Sequence, residues 1–125
     1  MEVLTSLLLS ALLAAGVFGE PRLPAVDLQL VLAVDVSYSM DVEEQRIQRL
    51  GYIAAFRDPE VLRAARSGAL GRIAVTYVEW GGSAVQVIPW TIIDSTESAN
   101  RFAAELSGEP LRRISFTSIS SQKIF

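Results

Sequence analysis

The sequence predicts an open α/β sheet, doubly wound and mostly parallel, with one antiparallel edge strand. The run LQLVLAVD has no polar alternation, which is typical of a parallel strand that is buried on both faces in the middle of a sheet. Strand-like and helix-like segments alternate along the chain. Two segments rich in β-branched and aromatic residues are separated by only GGS, which predicts an antiparallel hairpin.

The helices of this fold are predicted from their ends. Asp41 and Glu44 form a capping box that starts a helix directly after the first strand. The segment DPEVLRAARSG has a cap, a proline at the first helical position and a terminal glycine, so it predicts a second, short helix. A third helix begins at Asp94 or Ser95 and ends near Gly108.

The hairpin strands are GRIAVTYVEW and AVQVIPW. Pro89 lies in the second of them and cannot donate a hydrogen bond to a neighbouring strand. The second hairpin strand is therefore expected at the border of the sheet.

The amino-acid composition excludes several classes of protein function. The chain has 125 residues, 50% of them hydrophobic, and a formal net charge of -3, which predicts one folded domain and no extensive disorder. The basic residues are scattered and form no stripe that could follow a phosphate backbone, so nucleic acid is not an expected partner. The chain has no histidine and no cysteine, which excludes Ser-His-Asp and Cys-His catalysis. Any metal would be a hard cation held by oxygen.

The N-terminal residues 1–19 are expected to be a signal peptide. The apolar run from Leu7 to Phe18 fits the core of such a peptide and is shorter than the roughly 20 residues that span a bilayer. The usual positive flank is missing and Glu2 stands in its place, so an apolar core helix is the alternative. We expect export, to the periplasm or the extracellular space, with cleavage after Gly19.

The rest of the chain divides into a linker and one domain. Residues 20–26 contain two prolines, which push the preceding residues out of helical space and predict an extended linker. Residues 27–125 form the predicted domain. No stable membrane span is expected once the signal peptide is cleaved.

Small oxygen-bearing side chains follow the first strand. Asp35, Ser37 and Ser39 provide one carboxylate and two hydroxyls within five residues. In an open α/β sheet, ligands bind beyond the carboxyl ends of the strands. Mg²⁺ prefers octahedral oxygen coordination and takes only one or two carboxylates from a protein, so these side chains suit it; Mn²⁺ and Ca²⁺ are alternatives.

The alternative interpretation is a turn with helix-capping residues, which such side chains form commonly. Two observations weigh against it. Asp41 already supplies the cap, and an aspartate that ends a buried strand is costly unless something pairs with it. Both interpretations remain open on the residues alone.

The segment VDVSYSM after an apolar strand resembles the D-x-S-x-S element of von Willebrand factor A domains, where it forms the metal-ion-dependent adhesion site. Further stretches, GRIAVTYVEW, VIPWTIID and TSIS among them, resemble an uncharacterised family of exported bacterial von Willebrand A-like proteins with a Rossmann-like sheet. The resemblance covers roughly residues 26–120. It implies that Asp35, Ser37, Ser39 and Thr117 are metal ligands and that a carboxylate from a protein partner completes the coordination.

This chain also departs from the resemblance. The family fold continues through further strands and helices, and a third loop contributes another aspartate, so the chain is expected to be a truncated, incomplete form. The strand that carries Asp35 would then be an exposed hydrophobic edge instead of a central strand. Gln122 and Lys123 break the family pattern after the second loop.

The predicted function is an exported, metal-dependent protein-binding module of the adhesion type, and not an enzyme. The alternatives are a Mg²⁺-dependent hydrolase on the same frame or a non-functional fragment. Phosphatases with an aspartate nucleophile generally carry a second acid two residues later, where this chain has Ser37. There is no G-x-S-x-G elbow and no Walker A loop.

Other conspicuous residues have ordinary interpretations. Trp80 and Trp90 are expected to pack in the core or at its rim and not to form a ligand platform. Glu79 is expected to be solvated at the end of its strand. Arg112 and Arg113 are expected to be solvated in a loop.

Overall fold

The computed structural model describes residues 24–113. These residues form a three-stranded sheet in the order β1-β2-β3, with three helices. The α/β fold class predicted from the sequence is confirmed. The elements are β1 (Leu28–Asp35), α1 (Val42–Arg57), α2 (Pro59–Ala65), β2 (Ile73–Trp80), β3 (Ala84–Ile93) and α3 (Thr96–Gly108).

The sheet combines one parallel and one antiparallel pairing. β1 and β2 run parallel, with Val34 opposite Glu79 and Asp35 opposite Trp80. β2 and β3 form the predicted antiparallel hairpin. β3, with Pro89, lies at an edge of the sheet as predicted, because there the missing N–H interrupts no pairing with a further strand.

The prediction that β1 is buried on both faces was wrong for the described part of the chain, where β1 is instead the exposed edge strand expected of the incomplete form. β1 pairs only with β2 among residues 24–113 and lies at the other edge of the sheet. Val31 is 47% exposed, whereas Val34 is buried, so burial differs between the two faces of the strand. The described helices pack on the face that carries Leu30, Tyr77 and Glu79.

The core lies between this face and the helices. Phe102 and Leu106 of α3 are fully buried, and Phe102 meets Phe56 of α1 with ring centroids 4.5 Å apart. Burial of one such side chain contributes about 1.5 to 3 kcal/mol. This packing fixes α1 and α3 over the sheet and so sets the position of the loop that enters α1.

The predicted caps are present. Asp41 and Glu44 form the capping box at the start of α1. Asp58 caps α2, and Pro59 stands at its first position. Of the two candidates for α3, the cap is Ser95. Local sequence therefore determines where each helix begins.

The buried face of α1 differs from the prediction based on its apolar spacing. Ile47 and Leu50 are exposed, whereas Gln45 and Arg49 are buried beside Ile53. The reason is a polar cluster beneath α1, described below. A polar network therefore overrides the apolar pattern of the helix.

Asp27 fastens the start of β1 to the loop before β2. Its carboxylate accepts hydrogen bonds from Leu70 N at 2.9 Å and Arg72 N at 3.1 Å. The bond from Leu70 is the main reason that the pKa of Asp27 is lowered. Gly68 lies beyond the end of α2 and passes so close to Asp27 that a Cβ would lie 2.3 Å from its Cγ.

No helix within residues 24–113 is long and apolar enough to cross a membrane. The predicted signal peptide at residues 1–19 lies outside the described residues, as do the greater part of the linker and Thr117.

Candidate metal centre

The loop of residues 36–41 connects the carboxyl end of β1 to the start of α1. It is anchored to the neighbouring strand, since Val36 N donates to Trp80 O at 2.8 Å. The loop therefore lies at the edge of the sheet where α/β proteins bind their ligands.

The structure brings Asp35, Ser37 and Ser39 together. Asp35 Oδ1 accepts a hydrogen bond from Ser37 N at 2.8 Å, which folds the loop back over the carboxylate. The hydroxyls of Ser37 and Ser39 lie 2.6 Å apart. Ser37 is buried and Ser39 is exposed, so the hydroxyl pair reaches from the protein interior to the surface.

This arrangement fits a hard cation. Oxygens at about 2.0 to 2.1 Å from Mg²⁺ in adjacent octahedral positions lie roughly 2.9 Å apart, close to the separation of the two hydroxyls. No group of three or more histidine, cysteine, aspartate or glutamate side chains that could hold a metal occurs in residues 24–113. Within that range, a cation at this loop would rely on hydroxyls together with the single carboxylate of Asp35.

The chain after α3 returns to this loop. Arg113 Nη2 donates to Tyr38 O at 3.0 Å and to Met40 O at 3.1 Å. Its guanidinium also lies over the Tyr38 ring, 4.8 Å from the ring centroid. Arg113 is exposed, as expected for a solvated arginine, but it also donates to loop carbonyls, which was not predicted.

The prediction that Glu79 is solvated was wrong. Its side chain is fully buried and forms a salt bridge with Arg49 at 2.5 Å and a longer one with Arg112 at 3.4 Å. Arg112 also pairs with Glu109 at 2.7 Å, so it is not simply solvated either. Glu79 is one register position from Asp35, but its carboxylate is committed to the arginines.

Sequence reasoning missed Arg49. It donates to Leu106 O at 3.1 Å and Glu109 O at 2.8 Å, so its charge stabilises the carboxyl end of α3. It also lies 5.4 Å from the ring centroid of Tyr77, whose pKa is raised chiefly by burial. The signal in the sequence was a basic residue four positions before Ile53 on one face of α1.

Both amide atoms of Gln45 are buried and find no hydrogen-bond partner among residues 24–113, and the same holds for Arg49 Nε. Gln45 lies one helical turn before Arg49. Polar atoms of this kind are normally paired.

The two tryptophans lie at the rim of the sheet. Trp80 is 43% exposed and Trp90 is 37% exposed. Trp80 ends β2 directly opposite Asp35, whereas Trp90 lies on β3 away from the loop.

A separate concavity lies away from this site. A cavity of about 540 Å³ lies between α2 and the ends of α1 and α3, lined by Phe56, Arg57, Leu62, Arg66 and Asn100 among others. None of Asp35, Ser37 and Ser39 lines it. The loop of Asp35, Ser37 and Ser39 is therefore separate from this cavity.

Comparison with known proteins gives a family and two solved structures. Residues 25–123 match the family model described as "Protein of unknown function (DUF1194)". No curated protein matches. The similar structures are the three N-terminal domains, and the vWF domain, of the type V pili tip protein Mfa5 from Porphyromonas gingivalis.

Both structural similarities are distant. The three-domain structure is 18% identical with a TM-score of 0.40, over 71% of this chain and 14% of that chain. The vWF-domain structure is 15% identical with a TM-score of 0.40, over 74% of this chain and 28% of that chain. The chain therefore spans less than a third of either protein as crystallised.

Proposed function

The chain belongs to the DUF1194 family, and we propose that it is a metal-dependent protein-binding domain of the von Willebrand factor A type. The family description leaves the activity open, so the proposal depends on the residues of this chain. We further propose that it is exported and binds a protein partner through Mg²⁺ or a similar divalent cation.

One observation carries the proposal. The hydroxyls of Ser37 and Ser39 lie 2.6 Å apart in the turn that Asp35 folds by accepting from Ser37 N. A turn that served only to cap α1 would not need this pair, because Asp41 and Glu44 form the capping box. The arrangement instead suits a cation that takes hydroxyl and carboxylate oxygens.

Thr117 is proposed as a further ligand from a second loop. It lies outside the described residues, and its support is the position of Arg113, which contacts Tyr38 and Met40. Thr117 is four positions after Arg113 in the sequence, and four Cα-to-Cα steps reach at most about 14 Å. Thr117 is therefore within reach of the first loop.

The partner is proposed to supply a carboxylate. Mg²⁺ bound by few protein side chains keeps water-filled positions that an incoming carboxylate can take. The surroundings include the acidic residues Asp41, Glu43 and Glu44, so without the cation an acidic partner would be repelled. Tyr38, which is 61% exposed, offers an aromatic contact beside the site.

We propose binding and not hydrolysis. Ser37 occupies the position at which aspartate-based phosphatases generally carry a second acid. Its hydroxyl contacts Ser39, and its amide is bound to Asp35. No contact in the described residues favours a hydrolase.

Isothermal titration of Mg²⁺ into the full chain tests the proposal. Asp35→Asn removes the charge but keeps an oxygen that can accept from Ser37 N. Asp58→Asn is a matched control, because Asp58 Oδ1 likewise accepts from the amide two residues later, Glu60 N at 2.7 Å. We expect Asp35→Asn to weaken Mg²⁺ binding by more than about tenfold and Asp58→Asn to leave it unchanged.

Ser37→Ala and Ser39→Ala should each weaken Mg²⁺ binding as well, because each removes one oxygen donor. Equal affinities for Asp35→Asn and Asp58→Asn would contradict the proposed site. Retention of an acidic partner in the presence of a chelator would contradict the proposed role of the cation in binding.

A further inference from the structure

We infer that Arg113 is a positioning residue that fixes the Ser39 side of the candidate metal loop. The expected effect on cation affinity rests on the proposed function. The expected effect on the conformation of the loop does not. Arg113 does not contact the oxygens of Asp35, Ser37 or Ser39 in the structure. It acts on the backbone on both sides of Ser39.

The two serines are held differently. Ser37 is buried, its amide is bound to Asp35, and its carbonyl accepts from Met40 N at 3.0 Å. Ser39 is exposed, and its side chain is bound through the Ser37 hydroxyl. The position of the Ser39 hydroxyl therefore depends on the backbone of residues 38–40.

Arg113 holds this backbone from a distant part of the chain. One nitrogen, Nη2, donates to Tyr38 O and to Met40 O, the carbonyls before and after Ser39. The guanidinium stacks over the Tyr38 ring, which keeps that exposed side chain against the loop. These two carbonyl contacts and one ring contact together restrict Ser39, which is the exposed member of the set Asp35, Ser37 and Ser39.

Geometry and charge predict opposite effects of replacing Arg113. A guanidinium beside a divalent cation repels it, so if charge alone mattered, Arg113→Gln would tighten Mg²⁺ binding and Arg113→Lys would leave it unchanged. If Arg113 positions the loop, both replacements weaken binding. A lysine ammonium can donate to the two carbonyls but has no planar group to stack on Tyr38, and a glutamine side chain is shorter and uncharged.

Arg112→Lys is the matched control. Arg112 is the adjacent residue, and its guanidinium contacts Glu79 and Glu109 and neither Tyr38 nor Met40. We expect titration of Mg²⁺ into the full chain to show affinity about tenfold weaker for Arg113→Lys and Arg113→Gln than for the wild type. Arg112→Lys should stay within twofold. An Arg113→Lys affinity within twofold of the wild type, or an equal loss in Arg112→Lys, would overturn the inference.

A metal-free measurement separates this inference from the proposed function. Hydrogen exchange of the Met40 amide, followed by NMR in chelator, reports the bond from Met40 N to Ser37 O. Exchange several-fold faster in Arg113→Lys, with Arg112→Lys unchanged, supports the role of Arg113 even if the wild type binds no Mg²⁺ and the proposed function fails. Equal exchange in the two variants overturns the role of Arg113, whatever the outcome for Mg²⁺.

Discussion

Two acidic side chains at the same end of the sheet have opposite surroundings. Glu79 of β2 is fully buried and is met by Arg49 and Arg112. Asp35 of β1 lies one register position further along, and in the described residues its bonded partner is a backbone amide, Ser37 N. The buried carboxylate of Glu79 is neutralised from within the fold, whereas no arginine or lysine of residues 24–113 forms a salt bridge with Asp35.

The difference follows from position. A carboxylate under α1 loses its water and persists only with cationic partners, which Arg49 provides. Asp35, at the half-buried end of β1, keeps part of its hydration and accepts a hydrogen bond from Ser37 N. Glu79 thus contributes to the stability of the fold, whereas Asp35 is proposed to bind a ligand.

The largest expected effect is the loss of the buried cation. Arg49→Met leaves Glu79 buried without its main partner and removes the donor to Leu106 O and Glu109 O. We expect the free energy of unfolding to fall by about 3 to 5 kcal/mol, measured by urea denaturation. If the variant fails to fold, that loss has exceeded the stability of the domain.

Arg63→Met is the control for that measurement. Arg63 pairs with Glu60 at 2.6 Å, but both side chains are more than 70% exposed. Exposed pairs contribute roughly 0 to 1 kcal/mol. Similar losses in the two variants would contradict the distinction between the buried and exposed pairs.

A smaller effect separates helix capping from metal binding. Asp41 accepts from Glu43 N at 2.6 Å and caps α1 directly after the loop. Asp41→Ala should lower the free energy of unfolding by about 1 kcal/mol, because an unpaired amide remains at the start of the helix. Mg²⁺ affinity should change far less than in Asp35→Asn. An equal loss of affinity in both would indicate that Asp35 acts through the helix cap.

The opposite end of β1 provides a pH-dependent comparison. The pKa of Asp27 is lowered from its ordinary value of 3.8, chiefly by the hydrogen bond from Leu70 N. Its contribution to stability is therefore fully present above that value and is lost as the pH falls through the lower pKa of the folded state. The stability difference between the wild type and Asp27→Asn, from urea unfolding at several pH values, should shrink on acidification. A difference independent of pH would contradict this.

Local features were predictable from the sequence because their physical cause is local. The capping box at Asp41, the cap and proline at Asp58 and Pro59, and the hairpin around GGS each depend on residues a few positions apart. The contact of Ser37 with Ser39 belongs to this class, since it spans two residues.

Other features depend on distant parts of the chain. Arg49 and Glu79 are 30 residues apart, and Arg113 is 75 residues from Tyr38. Single residues such as these carry no local sign of a partner, so Glu79 and Arg113 were expected to be solvated. For the same reason, the apolar spacing of Ile47 and Leu50 indicated the wrong face of α1.

Diffraction from crystals of the full chain soaked in Mn²⁺ tests most directly whether the loop of Asp35, Ser37 and Ser39 holds a cation. Mn²⁺ accepts the same oxygen ligands as Mg²⁺ and gives an anomalous signal. We predict an anomalous peak within coordination distance of the two serine hydroxyls. A well-ordered loop without a peak, with Ser37 and Ser39 still bound only to each other, would contradict the proposed cation site.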